Sequence, residues 1–160
     1  MFIKKRRNSK KEFKKGDIYG THRVISPKGV LPQPADVIDN TMEIYDNEVL
    51  IEVHTLNIDS ASFTEIERRA EGDIEEIKKI IMNIVETTGK HKNPWTGSGG
   101  MLIGKVKAIG PNFEGDLRVG DKIATLVSLS LTPLKIEEIK EVRPEIDQVD
   151  VKGQAILFQS

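Results

Sequence analysis

GSGGMLIGKVKAIGPNFEGDLRVGDKIATLV, residues 97–127, is the stretch that decides the fold class. A glycine cluster opens it, two apolar runs follow, and Gly110 and Gly120-Asp121 punctuate their ends. Met101–Ile109 reads as a strand interrupted by Gly104, and Lys122–Val127 as a second strand. Glycine inside a strand marks a bulge, a sharp bend or a close backbone approach. Two bent strands joined by a turn-rich loop are what a small, strongly curved barrel needs.

Working outward, Glu48–Leu56 (EVLIEVHTL) alternates cleanly. Val49, Ile51 and Val53 share one face, with Leu50, Glu52 and His54 on the other, which is the strongest strand signal in the chain. Thr21–Ile25 reads as a further strand, followed by a turn-rich connection through Pro27, Gly29, Pro32 and Pro34. Asp73 and Glu76 form a helix start, and Ile74, Ile77, Ile80, Ile81, Ile84 and Val85 recur at helical spacing. Gly89 is a natural stop, so a helix is expected over Ile74–Thr88, with a shorter helical turn at Thr64–Ala70 before it. Ser128–Leu131 reads as extended up to Pro133. Lys135–Val142 suits a short helix, although its Ile and Val content leaves a strand open. Ile146–Val151 and Ala155–Phe158 read as short closing strands. The expectation is a mainly β, α+β fold: a partly open β-rich barrel with one main inserted helix.

Composition narrows the chemistry. The 160 residues contain no Cys and only three His, so disulfides, thiol nucleophiles and thiolate zinc sites are excluded. Residues 1–15 carry eight Lys or Arg and one Glu, leaving 16 basic and 24 acidic side chains in the other 145 residues. The basic segment reads as a solvated tail, with residues 16–160 as one domain. It lacks interleaved aromatic platforms, so nucleic acid is not an expected partner. No apolar run approaches membrane-spanning length and no apolar segment follows the basic start, which reads as a cytoplasmic protein without a membrane partner.

The ordered series Gly-x-Gly-Gly, Ile-Gly and Val-Gly-Asp-Lys-Ile resembles the signature of the GroES-like catalytic domain of medium-chain dehydrogenases. Glu48–Phe63 resembles the strand and turn that lead to that family's first catalytic residue. With YGTHRVISPKGVLPQPADVIDN and LVSLSLTPLKIEEIK, the resemblance is closest to the 3,5-diaminohexanoate dehydrogenases of bacterial lysine fermentation. It runs from about Gly16 to Ser160. It implies a GroES-like barrel, NAD in the complete enzyme, and oxidative deamination of a small diamino acid. The departures are as informative. Asp59 stands where zinc dehydrogenases carry a Cys ligand, and Gly99, Gly100 and Met101 where they carry Gly-His-Glu, so no zinc is expected.

No Gly-x-Gly-x-x-Gly unit follows a strand, and no helix pattern follows Gly97–Gly100 to hold a phosphate. This chain alone is therefore expected to bind no NAD and to lack cofactor-binding residues. A nucleotide-binding domain or second chain would supply them, and a homodimer is the other possible assembly. A GroES-like scaffold or chaperonin-partner protein without catalysis is the rival reading.

By position in the resembled family, Asp59 and Ser60 are candidate catalytic residues, with Ser62 beside them as a substrate contact. Asp59 suits a base or an ammonium counter-ion, and equally a helix cap. His91 is a third catalytic candidate because its side chain titrates near neutrality. Lys90, Thr96 and Thr132 are candidate substrate contacts, with Ser130 beside Thr132. Lys90 and His91 either reach the cleft or lie exposed at the helix C-terminus, where cations are favoured. His54 reads as structural, and His22 is left open.

Overall fold

The computed structural model describes residues 12–158. Its main layer is a five-stranded antiparallel sheet built around the strand that alternates most cleanly in the sequence. In chain order the strands are β1 (Val24–Ser26), β2 (Val37–Ile38), β3 (Glu48–Ile58), β4 (Gly100–Ile109), β5 (Lys122–Ala124), β6 (Leu134–Arg143) and β7 (Gln148–Phe158). The large sheet runs β5-β4-β3-β7-β6, while β1 and β2 form a separate two-stranded sheet. Two helices, α1 (Ser60–Arg69) and α2 (Ile74–Thr88), follow β3 directly. The architecture is thus mainly β with a helical pair between the third and fourth strands.

β3 sits centrally because both of its edges are paired, one by β4 and the other by β7. Val49, Ile51 and Val53 are buried, and the pairing with both neighbours shifts register between Val53 and Thr55. That irregularity changes the inward spacing from two residues to three, so Leu56 and Ile58 still point into the core. Ile77, Ile81 and Val85 of α2 and Phe63 and Ile66 of α1 pack on that inward face.

The α2 boundaries follow the sequence reading. Asp73 accepts a hydrogen bond from the Glu76 amide at 3.2 Å, and Gly89 closes the helix in the left-handed region at φ 78°. A Cβ at Gly89 would strike the Ile38 carbonyl, so only glycine lets the chain turn beneath β2 there.

Several expectations are corrected. α1 is a full ten-residue helix from Ser60, not a short turn at Thr64–Ala70, so two helices are inserted rather than one. Lys135–Val142 is strand β6, and the two closing segments merge into the single strand β7. β4 runs unbroken through Gly104, whereas β5 ends at Ala124. Leu129–Leu131 is a 3-10 turn instead of extended chain, and Thr21–Arg23 is another, with β1 starting at Val24.

Residues 1–11 of the basic segment lie outside the described residues. Glu12–Lys15 are irregular, and the Lys14 carbonyl accepts from the Asp46 amide at 2.9 Å. No helix among the described residues is long and apolar enough to cross a membrane.

Candidate functional site

Three segments converge on Gly99, at the end of the sheet where β3 passes into α1. The Asp59 amide donates to the Gly99 carbonyl at 3.1 Å. A Cβ at Gly99 would lie 2.6 Å from the Ser130 amide nitrogen, 2.9 Å from the His91 carbonyl and 3.0 Å from Ser128 Oγ. Such approaches admit no side chain, so glycine is what brings these backbones together. Gly99 and Gly100 therefore serve a close backbone junction.

On the solvent side of this junction lie Asp59 and Ser60. Both are exposed. Asp59 caps α1, its Oδ1 accepting from the Ala61 amide at 3.1 Å. The other carboxylate oxygen has no partner among the described residues. Capping and a counter-ion role, alternatives in the sequence, are thus compatible in the fold. Across Gly99, Ser128 Oγ accepts from the Ser130 amide at 3.1 Å and lies 2.7 Å from Ser130 Oγ. Thr132 donates its hydroxyl to the Ser128 carbonyl at 2.9 Å. Ser130 and Thr132 are nearly fully buried, so they shape this wall more than they present it. Thr96 is exposed and its hydroxyl lies 2.7 Å from that of Ser98, one residue before Gly99.

The remaining candidates sit behind the wall. Ser62 is fully buried, and its hydroxyl and carbonyl accept from Asn93 Nδ2 at 2.9 and 3.1 Å. Asn93 Oδ1 in turn accepts from the Trp95 and Thr96 amides, tying the 93–98 loop to α1. This asparagine, missed by sequence reasoning, organises the loop that carries Thr96. Lys90 and His91 are not exposed at the helix end; the turn at Gly89 carries both inward. Lys90 Nζ donates to the Pro32 carbonyl at 2.6 Å and the Gln33 carbonyl at 3.0 Å. Burial, then the charge of Lys92, push its pKa down to about 8, with Asp36 pulling weakly the other way. His91 has no exposed surface and neither ring nitrogen has a hydrogen-bond partner. Burial pushes it down to about 4. The nearby backbone of His91 and Gly99 opposes this only weakly and makes no hydrogen bond of ordinary geometry. At neutral pH it is an uncharged imidazole sealed from solvent.

The other two histidines also resolve. His54 is exposed beside Glu52. His22 Nε2 lies 2.8 Å from Glu48 Oε2, within a buried cluster with Arg23.

The donor set does not fit a zinc ion. Among the described residues no three His, Cys, Asp or Glu side chains are grouped to hold a metal, and Gly99 and Gly100 offer no side-chain donor. Nor does it fit a dinucleotide phosphate. The N-termini of α1 and α2 are already occupied by the carboxylates of Asp59 and Asp73, which would repel an anion.

Comparison with known proteins places the chain. Residues 22–160 match the family described as the L-erythro-3,5-diaminohexanoate dehydrogenase N-terminal domain. The chain belongs to that family. Two relatives bear the name L-erythro-3,5-diaminohexanoate dehydrogenase. The protein of Fusobacterium nucleatum is 64% identical over 149 residues, and that of Acetoanaerobium sticklandii 62% over 148. The match covers 92% and 91% of this chain but only 43% of each relative, so more than half of each diaminohexanoate dehydrogenase lies outside it.

Proposed function

We propose that this domain forms the substrate side of an L-erythro-3,5-diaminohexanoate dehydrogenase: an NAD-dependent, zinc-independent oxidative deamination within cytoplasmic lysine fermentation, on a medium-chain dehydrogenase scaffold whose barrel is GroES-like. Membership of the diaminohexanoate dehydrogenase N-terminal family is the observation that carries this reading. The open antiparallel sheet with helices inserted after its central strand supports the scaffold assignment.

The substrate brings one carboxylate and two ammonium groups. Asp59 is the exposed anion at the Gly99 junction, and it suits an ammonium as counter-ion and as acceptor of the proton that must leave before the C–N bond gains double-bond character. Ser60 and Thr96 offer hydroxyls beside it. Ser128, Ser130 and Thr132 hold the opposite wall, while Ser62, Lys90 and His91 keep the supporting loops in place. The described residues supply no phosphate cradle, so the nucleotide contacts belong to another region. This chain alone is expected to bind NAD more weakly than millimolar, since nicotinamide-side contacts must offset an association cost of roughly 4–15 kcal/mol.

Titrating the ¹⁵N-labelled chain with L-erythro-3,5-diaminohexanoate tests the reading. Amide shifts are expected over residues 59–62, 96–100 and 128–132. Shifts confined to the β6 edge or the β1–β2 sheet would overturn it, as would micromolar, saturable NAD binding by calorimetry.

A further inference from the structure

A distinctly apolar concavity lies away from the Asp59 carboxylate. It is a groove of about 240 Å³ whose walls include Ile18, Tyr19, Leu31, Val127, Leu131 and Phe158. Tyr19 is 66% exposed, Leu31 52% and the adjoining Leu126 wholly so. A charged diamino acid gains nothing from such walls, because burying an ammonium against apolar side chains costs its hydration. An exposed apolar concavity of this kind marks a surface that another polypeptide covers.

We propose that this groove is the docking surface for the region that follows this domain in the longer relatives. The inference rests on the reading that the domain works with such a region, but not on that region's chemistry. Three observations select this occupant. The matched family is an N-terminal domain and more than half of each relative lies outside the match, so a large companion region is there to be accommodated. Strand β7 delivers the backbone to the groove itself, since Ile156, Leu157 and Phe158 line it. A region continuing from there starts at the rim, and its tethering raises its effective concentration over that of any free partner. The groove is also rigidly built. Lys90 and Lys92 both donate to the Gln33 carbonyl, and Lys90 to that of Pro32 as well, which fixes the wall those residues form. The Phe158 ring lies so close over Gly20 that a Cβ there would come within 2.8 Å of it. A preformed wall suits permanent docking, because little ordering entropy remains to be lost.

The test uses the full-length Fusobacterium relative, with the photo-reactive residue benzoylphenylalanine at the positions aligned with Tyr19 and Leu31. The position aligned with exposed Lys152 serves as control. Irradiation is expected to link both groove positions, within one chain, to peptides beyond the N-terminal domain, and the control to none of them. A covalent dimer would make the groove a contact between copies and overturn the proposal. Links only to the N-terminal domain itself would overturn it too. Hydrogen exchange gives a second measurement: residues 18–20 and 31–33 should exchange faster in this chain than in the relative, and equal rates count against docking. Deamination by the relative is assayed separately. Cross-links without that activity would break the functional reading and leave the docking surface standing.

Discussion

Two polar clusters are sealed inside this domain, and they respond to burial in opposite ways. Around Arg23 and Glu48 every charge has a counter-charge. The guanidinium bonds both Glu48 oxygens, at 2.7 and 3.0 Å, and the carbonyls of Thr41 and Glu43 at 2.6 and 2.9 Å. Burial alone would raise the Glu48 pKa. Hydrogen bonds from His22, Arg23 and the Tyr45 amide outweigh it, so the carboxyl ends below its usual range. At Lys90 and His91 no carboxylate is in contact, and burial wins at both. The lesson is that depth inside the fold does not fix ionisation; the nearest counter-charge does.

The largest effect is expected from breaking the paired cluster. Arg23→Ala leaves Glu48 buried without its main partner and frees the carbonyls of Asp39, Thr41 and Glu43, a loss of about 3–5 kcal/mol measured by urea unfolding. That is a large part of the roughly 5–15 kcal/mol typical of a domain. An Arg23→Met, Glu48→Leu double variant should be less damaged than the sum of its single changes. Strict additivity would show that the pair is not coupled.

This contrast also explains what the sequence disclosed. The central strand and α2 were legible because their signals are local: alternation in one, an N-cap, an isoleucine stripe and a terminal glycine in the other. Strand β6 was ambiguous for a definable reason. Its pairing with β7 shifts between Ile136 and Glu138 and again between Ile139 and Glu141, leaving Glu137 and Lys140 as extra residues. Those bulges space the inward Ile136, Ile139 and Val142 three apart, which imitates a helix. Asp59 was legible as a helix cap and the glycine cluster as a close backbone approach, but their meeting at Gly99 was not. The Arg23–Glu48 pair joins residues 25 apart and carried no signal at all. The inward turn of Lys90 and His91 depends on a tertiary contact, Gly89 against the Ile38 carbonyl, that no local pattern encodes.

In the unpaired cluster, His91 should dominate acid sensitivity. Its pKa is about 4 folded against 6.5 for the free side chain, so the unfolded chain binds more protons between those values. Stability is then complete above pH 6.5 and falls as pH drops towards 4, by roughly 3 kcal/mol in all. Glu48, also depressed, begins to lose its contribution only as the pH falls through the ordinary carboxylate range and loses the rest below it, so its loss follows most of that of His91. Urea midpoints across pH 4–7 should show the His91 slope, and His91→Gln should flatten it. An unchanged slope in that variant would assign the acid sensitivity elsewhere.

Lys90 gives a pH dependence of the same sign, and its variant a smaller effect at neutral pH. Its pKa is about 8 against 10.5, so the unfolded chain again binds more protons, and stability rises as pH climbs from 8 towards 10.5. Lys90→Met removes the buried charge but leaves the Pro32 carbonyl without this donor. Gln33 keeps Lys92, whose Nζ lies 2.9 Å away. These terms oppose each other, so a change within about 1 kcal/mol at pH 7 is expected, together with loss of the alkaline rise. A rise that persists in the variant would show that another lysine is responsible.

The smallest stability effect is expected at Asp59, and that makes it the sharpest functional probe. Asn caps a helix about as well as Asp, so Asp59→Asn should keep the Ala61 hydrogen bond and shift the unfolding midpoint by only a few tenths of a kcal/mol. The exposed anion beside Gly99 is lost all the same. If Asp59 faces a substrate ammonium, binding of L-erythro-3,5-diaminohexanoate should weaken about tenfold, near 1.4 kcal/mol, and the remaining affinity should depend less on salt. Asp73→Asn is the matched control: it alters the cap of α2 in the same way, at a helix start that does not border the Gly99 junction. Equal weakening in both variants would point to net charge alone. Weakening in Asp59→Asn only, with unfolding unchanged, would separate the carboxylate's binding role from its capping role.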